Sequence, residues 1–294
     1  MPAISILLPV FNARRHLPAA LESLRRQTFG DFELIAVDDG STDRSGDLLD
    51  RWAARDARLR VIRRPNSGIV AALNAAIAAA RAPLLARMDA DDIAHPDRLA
   101  RQAAFLAAHP AVLACGTGIY VMDDSGATVE RRPRPAGAAE IERALLRGDG
   151  SALVHPTVVF RAEAVRAAGG YRAEAQFTED LDLFLRLAER GPLANLPELL
   201  LRYRVHFRST NFTRSADKAR VKSLVLREAC ARRGLPFDAA AVDLSYFRRS
   251  RADFHRDWAV KALAFPSAAT PLRHALLACA AAPGQRQSWR TLRY

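Results

Sequence analysis

Three carboxylates fall within four positions in Arg87-Met88-Asp89-Ala90-Asp91-Asp92. Like charges this close repel one another unless a cation sits among them, and hard cations such as Mg²⁺ and Mn²⁺ take oxygen ligands. Mg²⁺ commonly keeps one or two protein carboxylates and fills its remaining positions with water and phosphate oxygens. The cluster therefore suggests a metal shared between the protein and a phosphorylated ligand. An acidic loop capping the next helix is the plainer alternative, although Pro96-Asp97 is expected to start that helix by itself. Further on, Thr178-Glu179-Asp180 opens an apolar helical pattern. Thr178 can cap it, with the acids favoured by the helix dipole; a carboxylate there is also preorganised, as a general base must be. Arg202, Arg204, His206 and Arg208 could clamp a diphosphate, or form a solvated basic loop.

These residues need a scaffold. A continuous apolar run at Ile4–Val10 reads as a strand, Phe32–Val37 repeats the signal, and Arg58–Ile62 and Leu84–Met88 read as a third and a fourth strand. Helical patterns follow the first three: Leu17, Leu21 and Leu24, then Leu48, Leu49 and Trp52, then an Ala-rich stretch opened by Asn66-Ser67-Gly68. Alternation of this kind implies a parallel sheet with ligands at the carboxyl ends of its strands. Pro9, Asp38-Asp39, Asn66 and the Asp89–Asp92 cluster all follow a strand, so all four share one sheet edge. From Ala111 the pattern changes: an apolar run at Val112–Cys115, a hairpin around Asp123–Gly126, and a helix from about Ala138 to Arg147. A strand over Leu153–Phe160 with His155-Pro156 at its entrance comes next. Beyond Ser215 the chain reads as several short helices with breaks near Gly234-Leu235-Pro236, Pro266, Pro271 and Pro283-Gly284.

A chain of 294 residues, half of them apolar, can bury a large core. Its formal charge of +12 is unevenly placed: Arg214 to Tyr294 holds 16 Lys and Arg against 6 Asp and Glu, so the basicity belongs to the tail. Such clusters attract phosphate polymers and anionic lipid surfaces. Cys115, Cys230 and Cys279 show neither metal-ligand spacing nor an even disulfide set, which suits a reducing cytosol. The start lacks the basic region of a signal peptide, and no apolar run approaches the length of a spanning helix, so a cytoplasmic location is expected. No Gly-x-Gly-x-x-Gly follows the first strand and no P-loop is present, which excludes a dinucleotide-type oxidoreductase and a P-loop NTPase.

With the pieces in this order, the chain resembles the family 2 inverting glycosyltransferases over residues 3 to 210. The resemblance rests on Ile6–Asn12, Val37–Asp43, Asn66-Ser67-Gly68 with Leu73-Asn74, Asp89-Ala90-Asp91-Asp92, and Glu179-Asp180. It implies a GT-A fold: a Rossmann-like, mixed but mainly parallel α/β sheet flanked by helices, here with a C-terminal helical extension. It divides the chain into a nucleotide-sugar-binding half (1–110), an acceptor-binding half (111–213) and a basic extension (214–294). It implies that Pro9, Val10, Phe11 and Asp39 hold base and ribose, with Asn66, Gly68, Glu179 and Arg204 also on the nucleotide-sugar. Asp89 would face the ribose and metal, Asp91 would ligate Mn²⁺ or Mg²⁺, and His206 would lie near metal and diphosphate. Asp92 would support them, and Asp180 would be the general base. The expected partners are a nucleotide-sugar donor, with UDP the usual nucleotide, and a carbohydrate or lipid-linked acceptor of the cell surface. Peripheral contact with an anionic membrane through the tail is a further expectation, and nucleic acid is disfavoured. Two other readings stay open: a sugar-phosphate nucleotidyltransferase, though Pro9–Ala13 lacks its Gly-rich loop, and a non-catalytic basic module binding membrane or nucleic acid.

Overall fold

The computed structural model describes residues 1–207, 215–239, 242 and 249–293. Among the described residues nine strands form one sheet: β1 (Ile4–Val10), β2 (Phe32–Asp38), β3 (Leu59–Arg63), β4 (Leu84–Arg87), β5 (Ile93–Ala94), β6 (Ala114–Met122), β7 (Thr128–Arg132), β8 (Val159–Arg161) and β9 (Leu193–Arg204). Their order is β3-β2-β1-β4-β8-β6-β9-β5, with β7 on β6. The first four run parallel, as expected from the alternation of strand and helix. Beyond β4 the sheet is mixed: β8 pairs antiparallel with β4 and β6, whereas β9 runs parallel to β6.

Continuous apolar strands make sense because both faces are covered. Along β1, Ile4, Ile6, Leu8 and Val10 point into one core, while Leu7 points into the other. On the first face pack α1 (Leu17–Arg25), α2 (Ser45–Ala53) and α4 (Arg98–Ala108), through residues such as Leu21, Leu49 and Leu99. The opposite core takes residues of α3 (Ile69–Ala79), α5 (Ala138–Leu146), α6 (Ala162–Ala167), α7 (Glu179–Ala188) and α8 (Ser215–Arg232). The tail returns to the first face: Phe254, Trp258 and Ala262, on or just after α9 (Arg251–Lys261), join that core. Helices α10 (Ala269–Ala281) and α11 (Arg286–Arg290) complete the described chain.

Several local expectations are corrected. The run before β8 is strand only from Val159, because His155-Pro156-Thr157 closes a 3-10 turn and Pro156 has no N–H for a ladder. The tail does not begin with a short helix: α8 is 18 residues long, and it ends just before Gly234, whose φ is +64°. Pro271 lies inside the first turn of α10, where a missing N–H costs little, and so marks no break. Asp97 precedes α4 without capping it; Gln27 supplies the cap by accepting from Leu99 N at 3.1 Å. The sequence around Arg202–Arg204 reads as the end of a strand, and β9 does end at Arg204; its full twelve-residue length and the two-residue β5 that pairs with it escaped the reading. Residues 208–211, which include Arg208, lie outside the described residues.

Candidate active site

The parallel order places the ends of β1, β2 and β4 side by side. At the end of β2, buried Asp39 accepts from Ser67 N and, at 2.8 Å, from Gly68 N, while its own N–H donates to Val10 O. The Asn66-Ser67-Gly68 turn is thereby tied to the strand ends. Gly40 (φ +75°) lets the backbone of Asn66 approach so closely that a Cβ at position 40 would stand 2.7 Å from Asn66 N. Only glycine meets both demands. Pro9 and Val10 close β1 beneath this turn, and Phe11 beyond them is about half exposed.

At the end of β4 the acids gather. Carboxylate oxygens of Asp89, Asp91 and Asp92 lie within 4.8 Å of one another. Asp89 pairs with the buried Arg87 at 2.5 Å, and Asp91 meets His206 Nε2 at 3.2 Å. Asp92 is fully buried: one oxygen accepts from Arg204 N at 2.7 Å, and the other has no hydrogen-bond partner among the described residues. Burial pushes the Asp92 carboxyl well above its ordinary value, helped by the charges of Asp91 and Asp89; burial likewise raises Asp89, against the pull of Arg87. Asp89 and Asp92, both disfavoured as anions and the latter with an orphaned oxygen, gather with Asp91 in a way that fits a divalent cation in oxygen-donor chemistry. Arg204 braces the arrangement, its Nε donating to Asp91 O at 2.8 Å and its Nη1 to the carbonyls of Asp123 and Asp124.

Across a cleft of about 680 Å³ stand Glu179 and Asp180 at the N-terminus of α7. Thr178 occupies the cap position, but its hydroxyl donates back to Ala175 O and caps nothing. Phe177, before it, is held at φ +78°, a conformation that bulky residues avoid and that tends to persist at functional sites. Glu179 is buried with Oε2 unpartnered among the described residues, and burial, then the charge of Asp180, raises it to about 7. Burial also raises Asp180, while the Leu181 N–H, Lys218 and Arg87 pull it back. Arg87 is therefore the cation between the two acidic groups.

The cleft walls bring together Asp89, Asp91, Glu179, Asp180 and Arg204 of the residues singled out in the sequence; Pro9, Val10, Phe11, Asp39 and Asn66 lie outside it, on the adjoining strand ends. Sequence reasoning gave no role to several wall residues. Lys218 and Lys222 come from α8, Arg134 from the loop after β7, and Phe254 and Trp258 from α9. Nothing local marks these positions, since they meet the site only through long-range packing. The two arginines flanking Pro133 were the nearest signal.

Comparison with known proteins gives this arrangement relatives. Residues 5–169 match the model of "Glycosyl transferase family 2". The amylovoran biosynthesis glycosyltransferase AmsE of Erwinia amylovora is 34% identical over 68% of this chain and 75% of its own. EpsE of Bacillus subtilis (strain 168), which carries a provisional glycosyltransferase name, is 33% identical over 80% of this chain and 84% of its own. Among solved structures, S. aureus TarS in complex with UDP-GlcNAc superimposes with a TM-score of 0.64 at 19% identity, covering 100% of this chain and 90% of that one. The mannosyltransferase PcManGT of Pyrobaculum calidifontis, in complex with GDP-Man and Mn²⁺, gives 0.60 at 21% identity, over 99% and 84%. The two structural likenesses establish a GT-A fold, and a match across more than half of the sequence makes the chain a member of glycosyl transferase family 2.

Proposed function

We propose that the chain moves a sugar from a nucleotide-diphospho-sugar to an acceptor hydroxyl with inversion at the anomeric carbon. The observation that carries this reading is one cleft walled by the Asp89–Asp91 group at the end of β4 and by Glu179–Asp180 at the start of α7. Asp180 would take the proton of the acceptor hydroxyl as its oxygen bonds to the anomeric carbon. The bond from that carbon to the diphosphate oxygen breaks in the same step, and its electron pair leaves with the nucleoside diphosphate. A general base with a raised pKa suits this work near neutral pH. Mn²⁺ or Mg²⁺ held by Asp89 and Asp91, with His206 beside them, would supply positive charge for the departing diphosphate. The Pro9–Phe11 turn, Asp39, Asn66 and Gly68 would receive base and ribose, so that residues 1–110 serve the donor and 111–213 the acceptor.

UDP is the favoured nucleotide because TarS binds UDP and UDP-GlcNAc on the same fold, and PcManGT's Mn²⁺ supports a metal here. A hexosyl or N-acetylhexosaminyl transfer in cell-surface polysaccharide synthesis accords with the role named for AmsE. The tail favours a cytoplasmic enzyme resting on an anionic membrane. Val260, Leu263, Leu272, Leu276, Leu277 and Trp289 are exposed there, and the sequence from Trp258 to Tyr294 holds five Lys and Arg with no Asp or Glu. No helix among the described residues is long and apolar enough to cross a membrane.

The test is a pair of variants. Asp180→Asn should bind nucleotide-sugar as the parent does and lose transfer by about 10²-fold or more, whereas Asp91→Ala should lose the Mn²⁺-dependent part of binding in a thermal-shift titration. Full transfer by Asp180→Asn would sink the base assignment.

A further inference from the structure

We propose that the C-terminal tail places the acids of the metal site: Arg273 and His274 of α10 are positioning residues for Asp91 and Asp92, acting through the turn at Asp123–Gly126 and the side chain of Arg204. This rests on the metal-dependent transferase reading above. The turn joins β6 to β7, and its shape needs only one oxygen of Asp123. Asp123 Oδ1 accepts from Ser125 N at 2.9 Å, from Ser125 Oγ at 2.7 Å and from Ala127 N at 3.1 Å. An asparagine would make the same bonds. A buried carboxylate in its place leaves a second oxygen and a charge to be compensated.

Both are met from the tail. Asp123 Oδ2 accepts from Arg273 Nη2 and, at 2.9 Å, from His274 Nε2. A carboxylate only accepts, so that ring nitrogen carries the proton. Arg273 Nη1 also donates to Ser125 Oγ at 2.8 Å, and its fork thus spans the turn. His274 is buried as well, with its Nδ1 against His255 Nδ1 of α9 at 3.0 Å. Burial works against the Asp123 anion, but the bonds from His274 and Ser125 and the charge of Arg273 hold its carboxyl well below the ordinary value. Apolar packing alone would keep a tail in place, and Phe254 and Trp258 supply it. The polar groups of α10 converge instead on one carboxylate at a hairpin tip, a kind of segment that is otherwise mobile.

The other side of the same turn faces the acids. Arg204 Nη1 donates to the carbonyls of Asp123 and Asp124, each at 3.2 Å, while its Nε donates to Asp91 O at 2.8 Å. The backbone N–H of Arg204 meets Asp92 Oδ1 at 2.7 Å. One guanidinium therefore reaches from the turn to the acidic loop, and the place of the turn decides the place of the guanidinium. The turn also carries Asp124, which pairs with Arg15 and His16 in the stretch after β1. Groups that orient metal ligands from outside matter nearly as much as the ligands, and their loss commonly weakens metal binding by about 10–100-fold.

The test uses the full chain, titrated calorimetrically with UDP in EDTA and at rising Mn²⁺, to find the Mn²⁺ concentration that half-completes the metal-dependent gain in affinity. Arg273→Gln, at a side chain 41% exposed, should raise that concentration about tenfold, the low end of the range for groups that orient metal ligands. Asp123→Asn, which keeps the turn but offers the tail no anion, should do the same. So should His274→Leu, whereas His274→Gln, whose amide can donate from the place of Nε2, should retain most of what His274→Leu loses. Lys261→Met cuts a different anchor of the tail, the ion pair with Glu130 on β7 at 3.0 Å, and should leave the Mn²⁺ requirement at the parent's value. An unchanged requirement in both Arg273→Gln and Asp123→Asn would overturn the proposal, as would an equal rise in Lys261→Met or an equal rise in the two His274 variants. No UDP binding by the parent, or none that Mn²⁺ improves, would remove the metal-dependent reading and this proposal together. A parent that responds to Mn²⁺ beside variants that respond alike would remove only the part assigned to the tail.

Discussion

Glu179 and Asp180 face the cleft from a setting that favours their neutral forms, and this has two measurable consequences. The first is kinetic. Asp180, as the proposed base, must be ionised to accept a proton, and burial raises its pKa, so transfer should fall on the acid side at a pH above that carboxyl's ordinary value. The pair titrates jointly, and a kcat profile measured from pH 5 to 9 would locate the limb. The second concerns stability. Glu179 is raised to about 7 from an ordinary 4.5, so the folded chain holds that proton more tightly than the unfolded chain does. The penalty is absent below the unfolded value, grows between the two, and is complete above the folded one. Glu179→Gln should therefore be more stable than the parent by roughly 1–3 kcal/mol at pH 8 and nearly equal at pH 4. Denaturant midpoints at both pH values check this, and a difference that does not grow with pH would contradict it.

At the scale of elements, α7 aims these acids and is clamped from below. Asp182, fully buried, accepts from Arg186 and from Arg172, and Arg186 also donates to the carbonyls of Ala168 and Gly170. Removing one partner of a buried pair strands the other, at about 3–5 kcal/mol. Asp182→Ala should lose about that much in urea denaturation; because the clamp holds the loop before α7, donor binding should survive better than transfer. A loss below about 1 kcal/mol would show that the clamp is solvated. Strands such as β1 were legible in the sequence because a strand buried on both faces reads as an unbroken apolar run. The acids at their ends were legible because the topology puts strand ends together. What escaped was set by pairing over long separations: β5 takes its strand form from β9, and Gln27 caps α4 from the end of another helix. Lys218 and Lys222 fall in the same class, as exposed-looking basic positions that become a cleft wall only when α8 packs on α7.

Taken whole, the molecule ties its basic tail to its site by specific contacts. Arg273 pairs with Asp123, and His274 Nε2 meets the same carboxylate at 2.9 Å. His255 Nδ1 lies 3.0 Å from His274 Nδ1, and burial, then the charge of His274, lowers His255 to about 4. Phe207, just past β9, packs against Phe254, His255 and Trp258. The inner side of this tail walls the cleft, and its outer side carries the exposed leucines. Co-sedimentation with phosphatidylglycerol vesicles should accordingly fall several-fold in Leu272→Glu/Leu276→Glu. It should also weaken between 50 and 500 mM salt, as surface electrostatics are screened. Unchanged sedimentation would leave the outer face without a membrane role, and a shift from dimer to monomer in the same variant would assign it to a second copy.

The position of Trp258 in the chain bears on synthesis. The acids of the β4 end leave the ribosome well before α9, which supplies the last described wall of the cleft. At about 5–20 residues per second, a nascent chain spends seconds with its acidic residues complete and Phe207 uncovered. Closing the cleft is thus a late event of folding. Transfer competence should arrive only with the final helices, and a product released early would hold the acids of a transferase beside an open apolar flank.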